Sequence, residues 1–319
     1  MYVCVYVRKQ VESVQTLADA FRKTIAALAK EGKLSLLIQG MLEHQGHGHV
    51  QAAACEALAG LAESDDNTRV KVAAEGGVGA IVGAMQRHPS AKVQAAACRA
   101  LRYLARNDSN KVRIAAEGGV GAVVSALKGH PTDAKVQEAA CNALVNLAMN
   151  DADEIKVAAE GGVGAIVAAM QHHPADAKIQ EAACKSLGNL AFNDANEVRI
   201  AAEGGVGAIV SAMQHHPAHA KVQEAACIAL ANLTANAVRI AAEGGVGAIV
   251  AGMQNHPTNA EVQEAACGAL DNLTFNNDNK AKAKSAGAED AVKRAMALQD
   301  ATAHTKRRGQ KVLDRLKNF

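Results

Sequence analysis

The chain has 319 residues, 49% of them hydrophobic but only 2% aromatic, with no Trp, 3 Tyr and 4 Phe, so its apolar mass is Ala, Val, Leu and Ile. Small aliphatic side chains suit closely packed helices better than a sheet core, where aromatic and β-branched residues dominate, and no run approaches the roughly 18 apolar residues of a helical membrane span. The net charge of +2 is uneven: residues 280–319 hold 11 Lys/Arg against 4 Asp/Glu and leave the remainder mildly acidic, so the two ends would steer charged partners differently.

The opening Met1-Tyr2-Val3-Cys4-Val5-Tyr6-Val7 matches nothing downstream. It is too short for a secretory signal core and lacks a leading basic region. It reads as a strand, an unstructured leader or the edge of a longer chain. Residues 1–31, with Phe21, Ile25 and Leu28, are expected to form a leader and an N-terminal capping helix.

Residues 32–276 repeat. Glu-Gly-Gly-Val-Gly-Ala begins at Glu75, Glu117, Glu160, Glu203 and Glu243, and Cys55, Cys98, Cys141, Cys184, Cys227 and Cys267 follow at intervals of 43, 43, 43, 43 and 40. Every proline (Pro89, Pro131, Pro174, Pro217, Pro257) follows a His at one point of the unit. In the unit Asn193–Ala235, a short helix over 196–202 is stopped by Gly204-Gly205. A second helix runs over 206–215, with Ile209, Val210 and Met213 at spacings of three and four, until His216-Pro217 breaks it. The third and longest is predicted over 221–234. Asn107-Asp108, Asn150-Asp151 and Asn193-Asp194 are natural N-caps for the next short helix. Between Asn232 and Arg239 one unit is three residues short, and a change of superhelical twist is expected near 234–238.

These features resemble the armadillo repeat, a three-helix unit of about 42 residues. The match lies in the Glu-Gly-Gly turn, the proline turn and the Val-Gln-Glu-Ala-Ala-Cys-x-x-Leu-x-Asn-Leu third helix, and covers roughly residues 20–319. The resemblance implies an all-α, right-handed superhelical solenoid whose third helices line a concave groove. Neighbouring units bury one continuous core. Residues 277–319 then form a degenerate C-terminal capping repeat with a basic tail, in which Gly287 keeps the register.

At 100° per residue, Val222, Ala226, Ala229, Leu230 and Leu233 share one apolar arc of the third helix, and Glu224, Ile228 and Asn232 lie opposite. Along the stack these positions form three rows: Gly60, Tyr103, Asn146, Asn189, Asn232, Asn272; Glu56, Arg99, Asn142, Lys185, Ile228, Gly268; and Ala52, Ala95, Glu138, Glu181, Glu224, Glu264. The asparagines match the position at which peptide-binding armadillo proteins hold an extended ligand's backbone, and a carboxamide offers both donor and acceptor. The bland alternative is an Asn bonded to its own or a neighbouring helix. Lys135, Lys178 and Lys221, three residues before Glu138, Glu181 and Glu224, suggest ordinary surface pairs. Adaptors resembling importin alpha carry Trp four residues before the Asn. Asn142, Lys185, Ile228 and Gly268 stand there instead, so aromatic slots for basic import signals are absent.

Other motifs carry less. The repeated cysteines fit buried small hydrophobes in a reducing compartment, too far apart for disulfides at a helix spacing of about 10 Å; Cys4 stands apart from them. His172-His173, His215-His216, His219 and the group His44, His47, His49 fit helix ends better than a metal site, for which no recurrent Asp, Glu or Cys partner exists. The glycine motif follows helices rather than strands, which makes it a turn and not a nucleotide loop. The tail, Lys306-Arg307-Arg308 with Lys311, Arg315 and Lys317, reads as a solvated amphipathic helix.

The expectation is therefore a cytoplasmic scaffold (a nuclear or ciliary setting also being compatible), not an enzyme, with no cofactor and no metal. Its partner is another protein or extended peptide held by Asn146, Asn189, Asn232 and Asn272, with Tyr103, Arg99, Lys185, Ile228, Glu181 and Glu224 setting preference. The alternatives are a subunit that packs by its edges or convex face into a larger multi-subunit assembly and, more weakly, nucleic-acid contact through the basic tail.

Overall fold

The computed structural model describes residues 33–149 and 151–318. The expectations for Cys4, Phe21, Ile25, Leu28 and Asn150 lie outside these residues. All regular structure among them is helical. It falls into two compact units, one ending at Leu147 and one beginning at Ala148.

The first unit contains α1 (Leu34–Glu43), α2 (Gly48–Ser64), α3 (Asp66–Ala74), α4 (Gly77–Arg87), α5 (Ala91–Leu104), α6 (Asp108–Ala116), α7 (Gly119–Gly129) and α8 (Ala134–Leu147). In the second, α9 (Asp151–Ala159), α10 (Gly162–His172), α11 (Ala177–Leu190), α12 (Asp194–Ala202), α13 (Gly205–His215) and α14 (Ala220–Asn232) come first. They are followed by α15 (Ala237–Ala242), α16 (Gly245–Asn255), α17 (Ala260–Leu273), α18 (Asn277–Ser285), α19 (Ala288–Ala297) and α20 (Ala303–Lys317). Third helices pack on third helices: α2 on α5 on α8 in the first unit, and α11 on α14 on α17 on α20 in the second.

The paired glycines do two separate jobs. Gly204 adopts a left-handed conformation (φ 82°), which ends α12. Gly205 is right-handed but crowded, and a Cβ there would stand 2.9 Å from the Ile200 carbonyl oxygen. The asparagine caps form as expected: Asn107 accepts the Asn110 N–H, and Asn193 accepts those of Ala195 and Asn196.

The short repeat departs from the predicted boundaries. The third helix stops at Asn232 rather than 234, and a single 3-10 turn (Thr234–Asn236) leads into the six-residue α15, where α12 has nine. Glu197 of α12, only 5% exposed, bridges the gap. Its carboxylate accepts the Ala235 N–H at 2.9 Å and the Thr234 hydroxyl at 3.3 Å, and its main-chain oxygen accepts from Asn236 Nδ2. The deletion expected to disturb the stack is thus found as a shortened first helix.

A second device was not anticipated from the sequence. Gln51, Gln94, Gln137, Gln180, Gln223 and Gln263 are all buried at the start of a third helix. Each side-chain amide donates to two carbonyls where the preceding helix ends, as Gln223 does to Met213 at 2.8 Å and His216 at 2.9 Å. The amide satisfies carbonyls that the turn between the two helices leaves without helical donors, so helices two and three meet at a fixed corner.

Candidate peptide-binding groove

The last row of the third-helix face is tied to the stack. Asn146 Nδ2 donates to the Arg102 carbonyl at 2.8 Å in the first unit. In the second, Asn232 donates to Gly188 at 2.9 Å and Asn272 to Ala231 at 2.8 Å. The register survives the deletion, because the partner moves from 44 residues back to 41. Asn189 occupies the same position and is half-buried, like the other three. The bland role weighed for these residues is therefore real, yet it uses one amide hydrogen. The acceptor oxygen and the second N–H of Asn146, Asn232 and Asn272 have no further partner among the described residues.

Tyr103 holds the row in α5 but is buried, at 8% exposure. Its hydroxyl donates to Glu63 Oε1 at 2.7 Å, which pushes the phenol's pKa up. The Arg102 and Arg106 guanidinium carbons lie 5.5 and 4.8 Å from its ring centroid.

The middle row diverges more. Arg99, Lys185 and Ile228 are exposed. The Asn142 amide turns back onto the Glu138 carbonyl at 2.9 Å. Gly268 is buried, and its carbonyl accepts from Arg308 at 3.3 Å. In the first row, Lys221 reaches Glu224 at 2.9 Å as the spacing suggested, and this contact raises the lysine's pKa. Glu181 departs from the expectation, since it pairs at 2.5 Å with Lys185 four residues on rather than with Lys178. Glu264 accepts from the Thr302 and Thr305 hydroxyls of α20 at 2.6 and 3.3 Å.

A family model, the LRRK2 ARM repeat, matches residues 32–153. An engineered protein of solved structure superposes with a TM-score of 0.78 at 27% identity, over 93% of this chain and 71% of that one. The chain has the armadillo-repeat fold, with residues 32–153 matching that family's model. A second engineered protein (TM-score 0.57, 22% identity, 90% of this chain and 99% of that one) has a similar fold. So does a designed armadillo repeat protein in complex with the peptide (KR)4 (TM-score 0.55, 17% identity, 89% and 99%). No curated protein matches the chain in sequence.

Within these armadillo repeats the remaining polar motifs are mostly structural. His88, His216 and His256 each donate from Nε2 to a carbonyl of the preceding repeat's turn, at Gln45 (2.6 Å), Pro174 (2.7 Å) and Pro217 (2.9 Å). Among the described residues no group of three or more His, Cys, Asp or Glu is placed to hold a metal. The six repeat cysteines are buried and outside any disulfide, and burial pushes the thiols of Cys55, Cys141 and Cys267 up to about 12. No single described helix is long and apolar enough to cross a membrane. The basic tail is less solvated than its sequence suggested: Arg315 pairs with the buried Asp271 carboxylate and covers the Phe275 ring at 3.7 Å. Arg308 reaches the same carboxylate at 3.6 Å. Both close α20 against α17, whereas Lys306, Arg307, Lys311 and Lys317 stay exposed. Asp271 is the partner the sequence reading missed; it follows Leu270 on the third helix, where the other repeats carry Ala, Arg, Val or Gly.

Proposed function

We propose that this armadillo chain is a non-catalytic scaffold that binds an extended segment of another protein across its third helices. Asn146, Asn189, Asn232 and Asn272 contact the segment's main chain, and Arg99, Tyr103, Glu181, Lys185, Glu224 and Ile228 set side-chain preference. Residues 32–276 supply the repeats and residues 277–319 the C-terminal cap. The observation that carries this reading is the half-spent carboxamide: one N–H bond to the preceding repeat fixes each measured amide, and its free oxygen and second N–H complement a peptide unit. A designed relative of the same fold is complexed with a peptide. Recurrence of the same side chains in successive units argues against an asymmetric catalytic constellation, and six buried cysteines outside any disulfide fit a reducing compartment such as the cytoplasm.

The test compares a bound peptide with its N-methylated counterpart, which keeps the side chains and loses main-chain donors. N-methylation and the double variant Asn189→Ala/Asn232→Ala should each weaken binding, with helicity retained. Undiminished binding in both experiments rejects the reading.

One observation favours the edge-packing subunit as a second reading. Val70 and Val112 in the first unit, and Ile155, Val198 and Val238 in the second, fall at one register of the first helix and are 45–68% exposed. Phe192 is 68% exposed as well. Apolar side chains repeated at a solvent-facing register mark a surface suited to packing. Loss of assembly in Val198→Asp/Phe192→Ser, with peptide binding intact, would support it.

A further inference from the structure

In the second unit, Lys185 and Lys221 are answered from their own third helices, by Glu181 four residues before the one and Glu224 three after the other, while Lys178 stays exposed. In α5 of the first unit that register holds Ala95. Lys92 stands three residues before it and Arg99 four after, the two positions such a glutamate serves elsewhere. Neither Lys92 nor Arg99 enters an ion pair among the described residues.

Two more cations adjoin them. Arg102 and Arg106 flank the buried Tyr103 ring, a cation–π arrangement that restricts both guanidinium groups. The nearby carboxylate of Glu63 is occupied by the Tyr103 hydroxyl. A groove of about 780 Å³ runs over this face and is lined by Lys92, Arg99, Arg102 and Lys135, with Glu56, Asp133 and Glu138 as its acids. Asp133 is committed to the start of α8, where it accepts the Lys135 and Val136 N–H groups. The surplus is positive and concentrated on α5. Held guanidinium groups are suited to bidentate pairing with carboxylates.

We propose that the first unit's groove selects an acidic segment, rich in Asp and Glu, laid across α2, α5 and α8 with its carboxylates on Lys92, Arg99 and Arg102. This rests on the peptide-groove reading and adds the class of side chain recognised. Lys92 and Arg99 stay unneutralised on α5 because the ligand supplies the carboxylates that Ala95 omits.

The experiment titrates the full chain with a fluorescent peptide of alternating Glu and Ser, a Lys/Ser counterpart and a single-stranded oligonucleotide of similar length. The Glu/Ser peptide should bind best and weaken as salt rises. Ala95→Glu, which installs the side chain found in other repeats and so threatens folding least, should weaken it about fivefold, the scale of an exposed ion pair. Arg99→Ala should act similarly, and Lys293→Ala, which removes an exposed cation of the second unit paired with Glu289, should not weaken it. Equal affinity in Ala95→Glu and Arg99→Ala overturns the proposal, as does tighter oligonucleotide binding that depends on Arg99. If the Lys/Ser peptide alone binds and depends on Asn189 and Asn232, acid selection falls while the groove reading stands. If no peptide binds, both fall.

Discussion

In the second unit Lys185 and Lys221 each lean on a glutamate of their own helix, whereas in the first unit Lys92 and Arg99 flank Ala95. Elsewhere the two units share their parts. Gln94 and Gln223 make the same pair of bonds, and Gly118 and Gly204 take the same left-handed turn at φ 81° and 82°. Cys98 and Cys227 are both fully buried. The glutamines and cysteines stay fixed because each is buried, and the glycines because the left-handed turn disfavours any side chain. The third-helix face answers to packing on one side only, so its charge can change from unit to unit without cost to the fold.

The units also differ at the far end of the second, where α20 is clamped by Arg308 and Arg315 on Asp271. Asp271 is 6% exposed by side chain and the arginines 27% and 19%. Asp271→Ala would leave two partly buried guanidinium groups without their carboxylate. Breaking a buried pair from one side costs about 3–5 kcal/mol, and with the arginines part-exposed the lower end, about 3 kcal/mol, is expected. Urea unfolding with hydrogen exchange should show the loss in α17 and α20 and none in the first unit. Unchanged exchange in α20 would mean that apolar contacts through Val312, Leu313 and Leu316 hold the cap alone.

The sequence made some of this legible and hid the rest for identifiable reasons. Gly-Gly turns, proline breaks and asparagine caps act on residues within four positions of themselves, so their outcome could be read locally. The ends of the Lys221-to-Thr234 helix could not, because Glu197 from the preceding repeat captures Ala235 and Thr234 across 38 and 37 residues. The asparagine row was legible as a face, but its bond to a carbonyl 41 or 44 residues back depends on the spacing between stacked helices. The glutamine clamp left a visible sign: one polar residue in all six registers beside a buried Val or Ile. A solvent-facing residue would have varied, as Arg99, Lys185 and Ile228 do.

That clamp offers the direct check on the claim that the units are built alike. Gln94→Ala and Gln223→Ala each strip two carbonyls of a donor at a buried corner. The cost of leaving such groups unsatisfied is about 1–3 kcal/mol. The two variants should lower the urea midpoint by the same amount, within error, and leave helical content intact in dilute buffer. A loss confined to one unit would show that the shared geometry does not carry equal weight, and that one corner is held mainly by its apolar neighbours.

The smallest effect bears most directly on the difference between the units. Ala95→Glu places a carboxylate three residues after Lys92 and four before Arg99, the latter in the acid-before-base order that favours helical pairs. Each such pair stabilises a helix by about 0.2–0.5 kcal/mol, so the variant should be slightly more stable than the parent and the gain should disappear in high salt. Glu181→Ala should do the reverse in the second unit, freeing Lys185 at a similar small cost. The two substitutions therefore exchange the charge pattern of one third helix for that of the other while altering stability by less than a single lost hydrogen bond. If Ala95→Glu is instead destabilising, Lys92 and Arg99 do not share one face with position 95, and the contrast between the units must come from somewhere other than that missing glutamate.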